Sequence, residues 1–293
     1  MSDTAEEFEK CRLRLFGLAY RMLGSAADAE DIVQETFVRA RTTAADELRS
    51  PEAFFVTIAT RLCLDELKSA KKKRESYVGV WRPEPIASVD GMTPETAVEH
   101  ADDLSFALLL TLERLSPPER AAFLLHDVFD TPFPDVASML GKSEAACRQL
   151  ASRARKAVRE ARPARKVSPE SHQALLMKFA EAVASGDAKK LEALLAADAV
   201  AYSDGGGVKI AALNPIFGAG RIARFLNGLA SKAARLGVTP SFRLAEINGA
   251  AAFLIDWNGA LDQILSVETD GEKIIAVFMV RNPEKLKAVA AGP

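Results

Sequence analysis

The chain has 293 residues, 48% hydrophobic and 27% charged, with a formal net charge of -2, which predicts two or three modest domains with real cores and excludes a disordered chain. Its longest apolar runs, such as Phe106–Thr111 and Ile274–Val280, are too short to span a bilayer, and the polar Met1–Lys10 does not read as a secretory signal. Three Cys and three His, all scattered, fit packing residues in a reducing cytoplasm and predict neither a metal site nor a cofactor.

In chain order, the first segments read as helices. Leu15, Leu18, Ala19, Met22 and Leu23 recur at helical spacing, and Gly24 closes that helix. Asp28 opens a second helix, with Ile32, Val33, Phe37 and Val38 on its apolar side and Asp28, Glu30, Asp31 and Glu35 on its polar side. That acidic face is wrong for DNA and suits a basic protein partner, unless it is simply solvated. Pro51 opens a third helix, in which Phe54, Phe55, Ile58, Ala59, Leu62 and Leu67 recur every three or four residues. Residues 61–74 at its end hold six Lys/Arg against two acids, a net +4. Phe54, Phe55, Thr57, Arg61, Lys68 and the run Lys71, Lys72, Lys73, Arg74 suit DNA whose strands are being separated. Bases stack on aromatics while cations neutralise phosphates. The alternative is that both Phe are core and the basic run is a solvated helix end.

From Tyr77 to about Pro94, Pro83, Pro85 and Pro94 with Gly79 and Gly91 deny both helix and central strand, so a linker is expected. Tyr77 and Trp81 are large aromatics that a solvated linker does not need, and they are expected to dock on a surface. Residues 75–119 are acidic, nine Asp/Glu against two Arg. Ser116-Pro117-Pro118-Glu119 is a helix start. Phe133–Leu140, a turn at Gly141, and a helix from Ser143 to Arg162 give a helix-turn-helix, with Val136, Leu140, Cys147 and Leu150 as its small core. Residues 142–166 carry nine Lys/Arg against two acids, a net +7. Arg148, Gln149, Ser152, Arg153, Arg155 and Lys156 are the side chains available to a major groove and its phosphates.

After the basic linker Arg162–Pro169 the pattern changes. Helices are expected at Gln173–Ser185, Ala188–Leu195 and Gly220–Ser231, followed by strands from Ser241 onward. Asn248-Gly249, Asn258-Gly259 and Asp270-Gly271 are three hairpin turns between them. Residues 168–293 are neutral overall, with thirteen charges of each sign. The expected domain is α+β, an antiparallel sheet with helices on one side. Asp204, Asp256 and Asp262, with Tyr202 and Trp257 as walls, are the groups a pocket would use, but no His or second polar partner is visibly paired with them.

Several of these stretches resemble a known family. Asp28–Asp31 with Gln34–Phe37, and then Phe54–Lys68, look like region 2 of bacterial sigma-70-type factors; Leu115–Arg120 through Arg153–Arg155 looks like their region 4. With no intermediate region between them, the chain is similar to the extracytoplasmic-function group. The linker Tyr77–Pro85, the stretch Asp204-Gly205-Gly206-Gly207 with Lys209, and Asn282–Leu286 resemble the signatures of SigJ-like factors, with Arg82 standing where an apolar residue is usual.

The resemblance implies a multidomain fold, two all-α domains followed by an α+β cone of the NTF2-like (SnoaL-like) superfamily. Its boundaries are 1–75 for region 2, 76–101 for the linker, 102–163 for region 4 and 170–293 for the C-terminal domain. It implies a non-enzymatic initiation factor that binds core RNA polymerase and promoter DNA. Asp28, Asp31, Gln34 and Glu35 would dock on the β′ clamp, with a further contact to the β flap. Arg49 joins Phe54–Arg74 at the −10 element, and Ser143–Lys156 reads the −35 element. The C-terminal domain would be a fused regulator. The stranded linker aromatics and the glycines lead to the further expectation that Tyr77, Gly79, Trp81, Pro83, Glu84 and Pro85 dock on that domain, with Asp204, Gly205–Gly207, Lys209 and Asn282, Pro283, Glu284, Lys285, Leu286 as the interdomain residues. A helix-turn-helix regulator carrying a small-molecule-sensing or enzymatic domain is the competing reading.

Overall fold

The computed structural model describes residues 3–41, 50–75, 77, 81–87, 104–161, 167–237 and 239–290. Two compact units emerge, Met1–Ser76 with Leu108–Arg162, and Tyr77–Ala107 with Pro163–Pro293.

In the first unit, α1 (Asp3–Leu23), α2 (Ala26–Ala40) and α3 (Pro51–Glu75) pack as a bundle. Leu15, Leu18, Ala19 and Met22 turn inward against Val33, Phe55 and Ala59, as the helical spacing requires. Gly24 takes a φ of +70°, open to glycine at little cost, and lets the chain reverse before Ser25 caps α2 through its Oγ, 3.2 Å from the Asp28 amide. Beyond α4 (Phe106–Arg114), a capping box at Ser116 and Glu119 opens α5 (Pro117–Phe123), which runs on through a π turn, Leu124–Val128. Then come α6 (Phe133–Leu140) and α7 (Glu144–Ala161). Arg120 is only 2% exposed. Its guanidinium donates to the Met22 carbonyl at the end of α1 and to Glu113 at 3.0 Å. A buried guanidinium needs such acceptors, and here they tie the first three helices to the later ones. The two helical segments expected as separate domains therefore share one unit.

The second unit holds α8 (Pro169–Ala184), α9 (Ala188–Leu194), β1 (Leu195–Asp204), β2 (Ile216–Phe217), α10 (Ala219–Arg235), β3 (Ser241–Ile247), β4 (Ala250–Trp257), β5 (Ala260–Thr269), β6 (Ile274–Val280) and α11 (Pro283–Ala290). The strands form one sheet in the order β2-β1-β6-β5-β4-β3, with β1 and β6 parallel and every other pair antiparallel. Asn248 and Gly249 (φ +53° and +75°), like Asn258 and Gly259 (φ +52° and +79°), are two-residue turns with both residues left-handed, which match the twist of the strands. The third expected turn is longer, closed by the Asp270 amide on the Lys273 carbonyl at 3.1 Å. Strand β1 is a correction, because the sequence reading began the sheet at Ser241. Its alanines carry no β signature, and pairing with β6 makes it a strand.

Helices α8, α9 and α10 cover one face of the sheet, with Leu176, Phe179, Leu191, Ile222 and Leu226 against Ala199, Ala201, Phe253, Leu265 and Val277. Alternation sends Tyr202, Leu254, Ile264, Ser266, Phe278 and Val280 to the other face. Most of that face is buried too. The segments Trp81–Ala87 and Leu104–Phe106, together with α11, supply the cover.

Candidate functional site

The first unit presents two surfaces of opposite character. On α2, Asp31, Gln34 and Glu35 are exposed along one stripe, while Asp28 is half-buried beside the cap. Val38, expected on the apolar side, is instead 57% exposed. It follows Asp31 by two helical turns and so shares that stripe. On α3 the inward stripe is Phe55, Ala59 and Cys63, all fully buried. Phe55 is therefore core, edge-to-face with Phe8 at 5.4 Å, and is withdrawn from the expected DNA surface. Phe54 and Thr57 are half-buried, and Arg61 and Lys68 exposed. The Arg61 Nε also lies 3.5 Å from the Met139 carbonyl of α6. Lys71, Lys72, Lys73 and Arg74 continue the helix, with side chains outside the described residues, as Arg49 and Gly79 are altogether.

The helix-turn-helix is built as its sequence requires. Gly141 is left-handed (φ +61°), and the Ser143 Oγ accepts the Ala146 amide at 3.2 Å. Cys147, Ala151, Ala154 and Val158 face inward, and burial pushes the Cys147 and Cys63 thiols up, so both are packing residues. Leu140 and Leu150, expected in the same core, are only half-buried, and Met139 and Ala137 are buried there instead. Arg148, Gln149, Ser152, Arg153 and Lys156 lie exposed on the outer face. Arg148 pairs with Glu144 and sits 4.6 Å over the Phe133 ring. Arg155 is half-buried and bound to Asp127 at 2.5 Å.

The second unit contains a buried polar cluster that joins three stretches far apart in sequence. Asp204, at the end of β1, accepts the Tyr77 hydroxyl at 2.6 Å, the Gly206 amide at 3.0 Å and the Lys285 amine at 2.8 Å. The Asn282 amide donates to the Tyr77 oxygen at 2.9 Å. Burial, followed by the Asp204 hydrogen bond, pushes the Tyr77 phenol up, so it stays a donor. The Lys285 ammonium lies 4.5 Å from the Trp81 ring centroid and 5.0 Å from that of Tyr77, and also donates to the Arg82 carbonyl. Pro83 and Pro85 are buried, while Trp81 and Glu84 are half-buried. Ile86 exchanges hydrogen bonds with Asn248, at 2.8 and 3.2 Å, and Ala87 bridges Ile247.

The glycines of this cluster have steric reasons. A Cβ on Gly205 would sit 2.0 Å from the Lys209 carbonyl oxygen, and one on Gly206 within 2.4–2.7 Å of the Asn282 side chain. Pro283 starts α11, Glu284 at its first turn is exposed, and Leu286 is buried. Beside the cluster, Asp262 binds Lys209 at 2.8 Å and Arg281 at 2.7 and 2.9 Å. Burial pushes its carboxyl up, but the hydrogen bonds from Lys209 and Arg281 outweigh that and hold it below the ordinary aspartate range.

With these surfaces in view, the comparisons are decisive. Residues 8–73 match the sigma-70 region 2 model and residues 105–158 the sigma-70 region 4 model. The ECF RNA polymerase sigma factor SigJ of Mycobacterium tuberculosis is 39% identical over 95% of this chain and 92% of its own. The chain belongs to the ECF sigma factors.

The crystal structure of the same M. tuberculosis SigJ superposes with a TM-score of 0.78 at 36% identity, covering 97% of this chain and 98% of that one. A second relative, the probable ECF sigma factor SigI of M. tuberculosis, is 38% identical over 60% of this chain and 61% of its own. As an ECF sigma factor of SigJ type, the chain binds core RNA polymerase and promoter DNA through regions 2 and 4 and directs transcription initiation.

The three acids considered for a pocket are each committed elsewhere: Asp204 to the linker cluster, Asp256 to Arg243 at 2.8 Å, and Asp262 to its two cations. Two members of this sigma factor's linker site escaped the sequence reading. Arg82 is buried, 4.5 Å over the Tyr202 ring. Its standing in place of an apolar residue was the available signal. Phe106 stacks on Phe278 at 5.3 Å, and Phe278 on Tyr202 at 5.3 Å, a column that only the sheet register reveals.

Proposed function

We propose that the residues act in this sigma factor as follows. The exposed acidic stripe Asp31, Gln34 and Glu35, with Asp28 at its head and Val38 within it, docks on the β′ clamp of core polymerase. Region 4 adds a contact to the β flap. The outer side of α3, with Phe54, Thr57, Arg61, Lys68 and the basic run Lys71–Arg74, opens and reads the −10 element. The outer face of α7 reads the −35 element, Arg148 and Gln149 at base edges and Arg153 and Lys156 on phosphates. Replacing Arg148 or Gln149 by Ala is expected to cost about 1–3 kcal/mol of discrimination at the −35 position that each reads.

The second unit serves as a built-in regulator. The observation that carries this reading is the clasp of Tyr77, Trp81 and Arg82 by Asp204, Asn282 and Lys285. A linker held on the C-terminal domain has fewer conformations than a free one, so the clasp limits how regions 2 and 4 reach their two promoter elements. Run-off transcription with core polymerase tests it, comparing the full chain, chains ending before Asn282 and near Val167, and Trp81→Ala. Promoter output is expected to change in all three variants. Output equal to the full chain in every case would remove the regulatory role.

A further inference from the structure

We propose that the exposed face of α10 is a third nucleic-acid contact, which grips the phosphate backbone of duplex DNA without reading its sequence. Residues 168–293 are neutral in sum. Yet α10 carries Arg221, Arg224, Lys232 and Arg235 and no acid in its 17 residues. All four cations are exposed. Among the described residues, none of them has a carboxylate within ion-pair distance. The contrast with α7 is direct: there Arg148, Arg153, Arg155 and Lys156 each have an acidic neighbour within 4.0 Å.

Two further features of α10 work against its own helix, and the nearest acid, Glu192 beside Arg224 at Gly220, stays outside ion-pair distance. Arg221 stands in the first turn, where the helix dipole is positive and a cation is unfavourable, whereas Lys232 and Arg235 in the last turn are favoured by it. The exposed Gly228 lies mid-helix, where glycine is worse than alanine, yet a Cβ there would meet nothing within 4 Å. Packing does not call for that glycine. A glycine there leaves the helix backbone open to close approach by an external surface, and an anionic one would also draw on the positive helix end. Local choices that cost stability without internal return mark a functional surface.

The chemistry of the stripe selects the partner. Arg221 to Arg235 spans about 21 Å of helix, long enough to meet several phosphates of a duplex. A helix lying on a membrane would need apolar side chains along its outer edge. In α10 the apolar residues Phe225 and Leu229 pack on the core, and Gly228 and Ser231 separate the cations. Only Leu236, past the last turn, is an exposed large apolar residue there. Because this chain is a promoter-binding factor, duplex DNA is the polyanion it meets, and the proposal rests on that reading.

The test is DNA affinity as a function of salt for holoenzyme reconstituted from core polymerase and the full chain, on promoter and scrambled duplexes. The variant R221Q/R224Q/K232Q/R235Q is expected to bind both duplexes at least tenfold more weakly at low salt. The slope of log affinity against log salt should become shallower by about 2 to 3.6, since each phosphate contact contributes about 0.9. Gly228→Glu, which adds a negative charge and removes no cation, is expected to weaken both duplexes in the same direction. An unchanged slope and affinity would overturn the proposal. So would loss of binding to phosphatidylserine vesicles with DNA binding intact, which would assign the stripe to a membrane. Wild-type holoenzyme failing to prefer promoter over scrambled DNA would instead strike the recognition reading, and the slope comparison would still decide α10.

Discussion

Lys285 and Asp204 have 5% and 1% of their side chains exposed, and they lie 81 residues apart in the sequence. A buried pair of this kind gives little net stability, but breaking it leaves one charge without a partner. Lys285→Met is therefore expected to destabilise the second unit by about 3–5 kcal/mol, and the double change K285M/D204N to recover most of the loss. Urea unfolding of the full chain checks this; a single change costing less than about 1 kcal/mol would mean water reaches the cluster. Asp262 makes a pH prediction. Its folded pKa is depressed by Lys209 and Arg281 against the push of burial, so its contribution is present above the ordinary aspartate pKa of about 4. That contribution is lost as pH falls through the depressed value. Acid unfolding of Asp262→Asn should then show a flatter pH dependence below about pH 4 than the wild type. Asp204 and Lys285 were legible through motif resemblance. The partners of Asp262 were not, because Lys209 and Arg281 reach it only through the loop after β1 and the end of β6, and no spacing in the sequence encodes that meeting.

Two helices with basic outer faces, α7 and α10, differ in how their glycines and charges are placed, and that difference is measurable. Gly141, left-handed at the turn before α7, and Gly228, inside α10 with open space around it, predict opposite effects of alanine. Gly141→Ala is expected to cost about 1 kcal/mol or more, since a Cβ is disfavoured at positive φ. Gly228→Ala is expected to raise stability by up to about 1 kcal/mol, because nothing obstructs the added methyl. Thermal unfolding of each variant resolves the two signs; a destabilising Gly228→Ala would show that packing holds that glycine after all. At this scale most of the fold was legible. Apolar spacing placed α1, α2, α3, α6 and α7, and the two Asn-Gly pairs placed the β3–β4 and β4–β5 turns. The failures share one cause, that position within a packed layer is set by partners outside the local pattern. The alanines of β1 become a strand only beside β6, and Phe55 reads as a DNA-facing aromatic until Phe8 and the inward stripe of α3 are placed around it.

For the molecule as a whole, the linker's aromatics and the C-terminal motif form one site, so changes to them should not act independently. If Trp81 works by resting on Lys285, its loss and the loss of the segment beginning at Asn282 remove the same contact from opposite sides. Residues that share one contact show strong non-additivity, whereas independent sites add to within about 0.5 kcal/mol. Trp81→Ala is therefore expected to shift run-off transcription in the full chain and to have almost no further effect in a chain ending before Asn282. Measuring both variants and their combination on one promoter, with one core polymerase preparation, closes the cycle. Additive effects would place Trp81 on the polymerase or the DNA instead, and the clasp would then be a packing feature of the second unit without control over initiation. Non-additivity would carry a further consequence. The face of the sheet turned away from α8, α9 and α10 is here filled by Arg82, Ile86, Phe106 and Leu286 of the same chain. A small molecule that entered there would have to displace the linker, so ligand sensing and linker release would be a single event with one equilibrium.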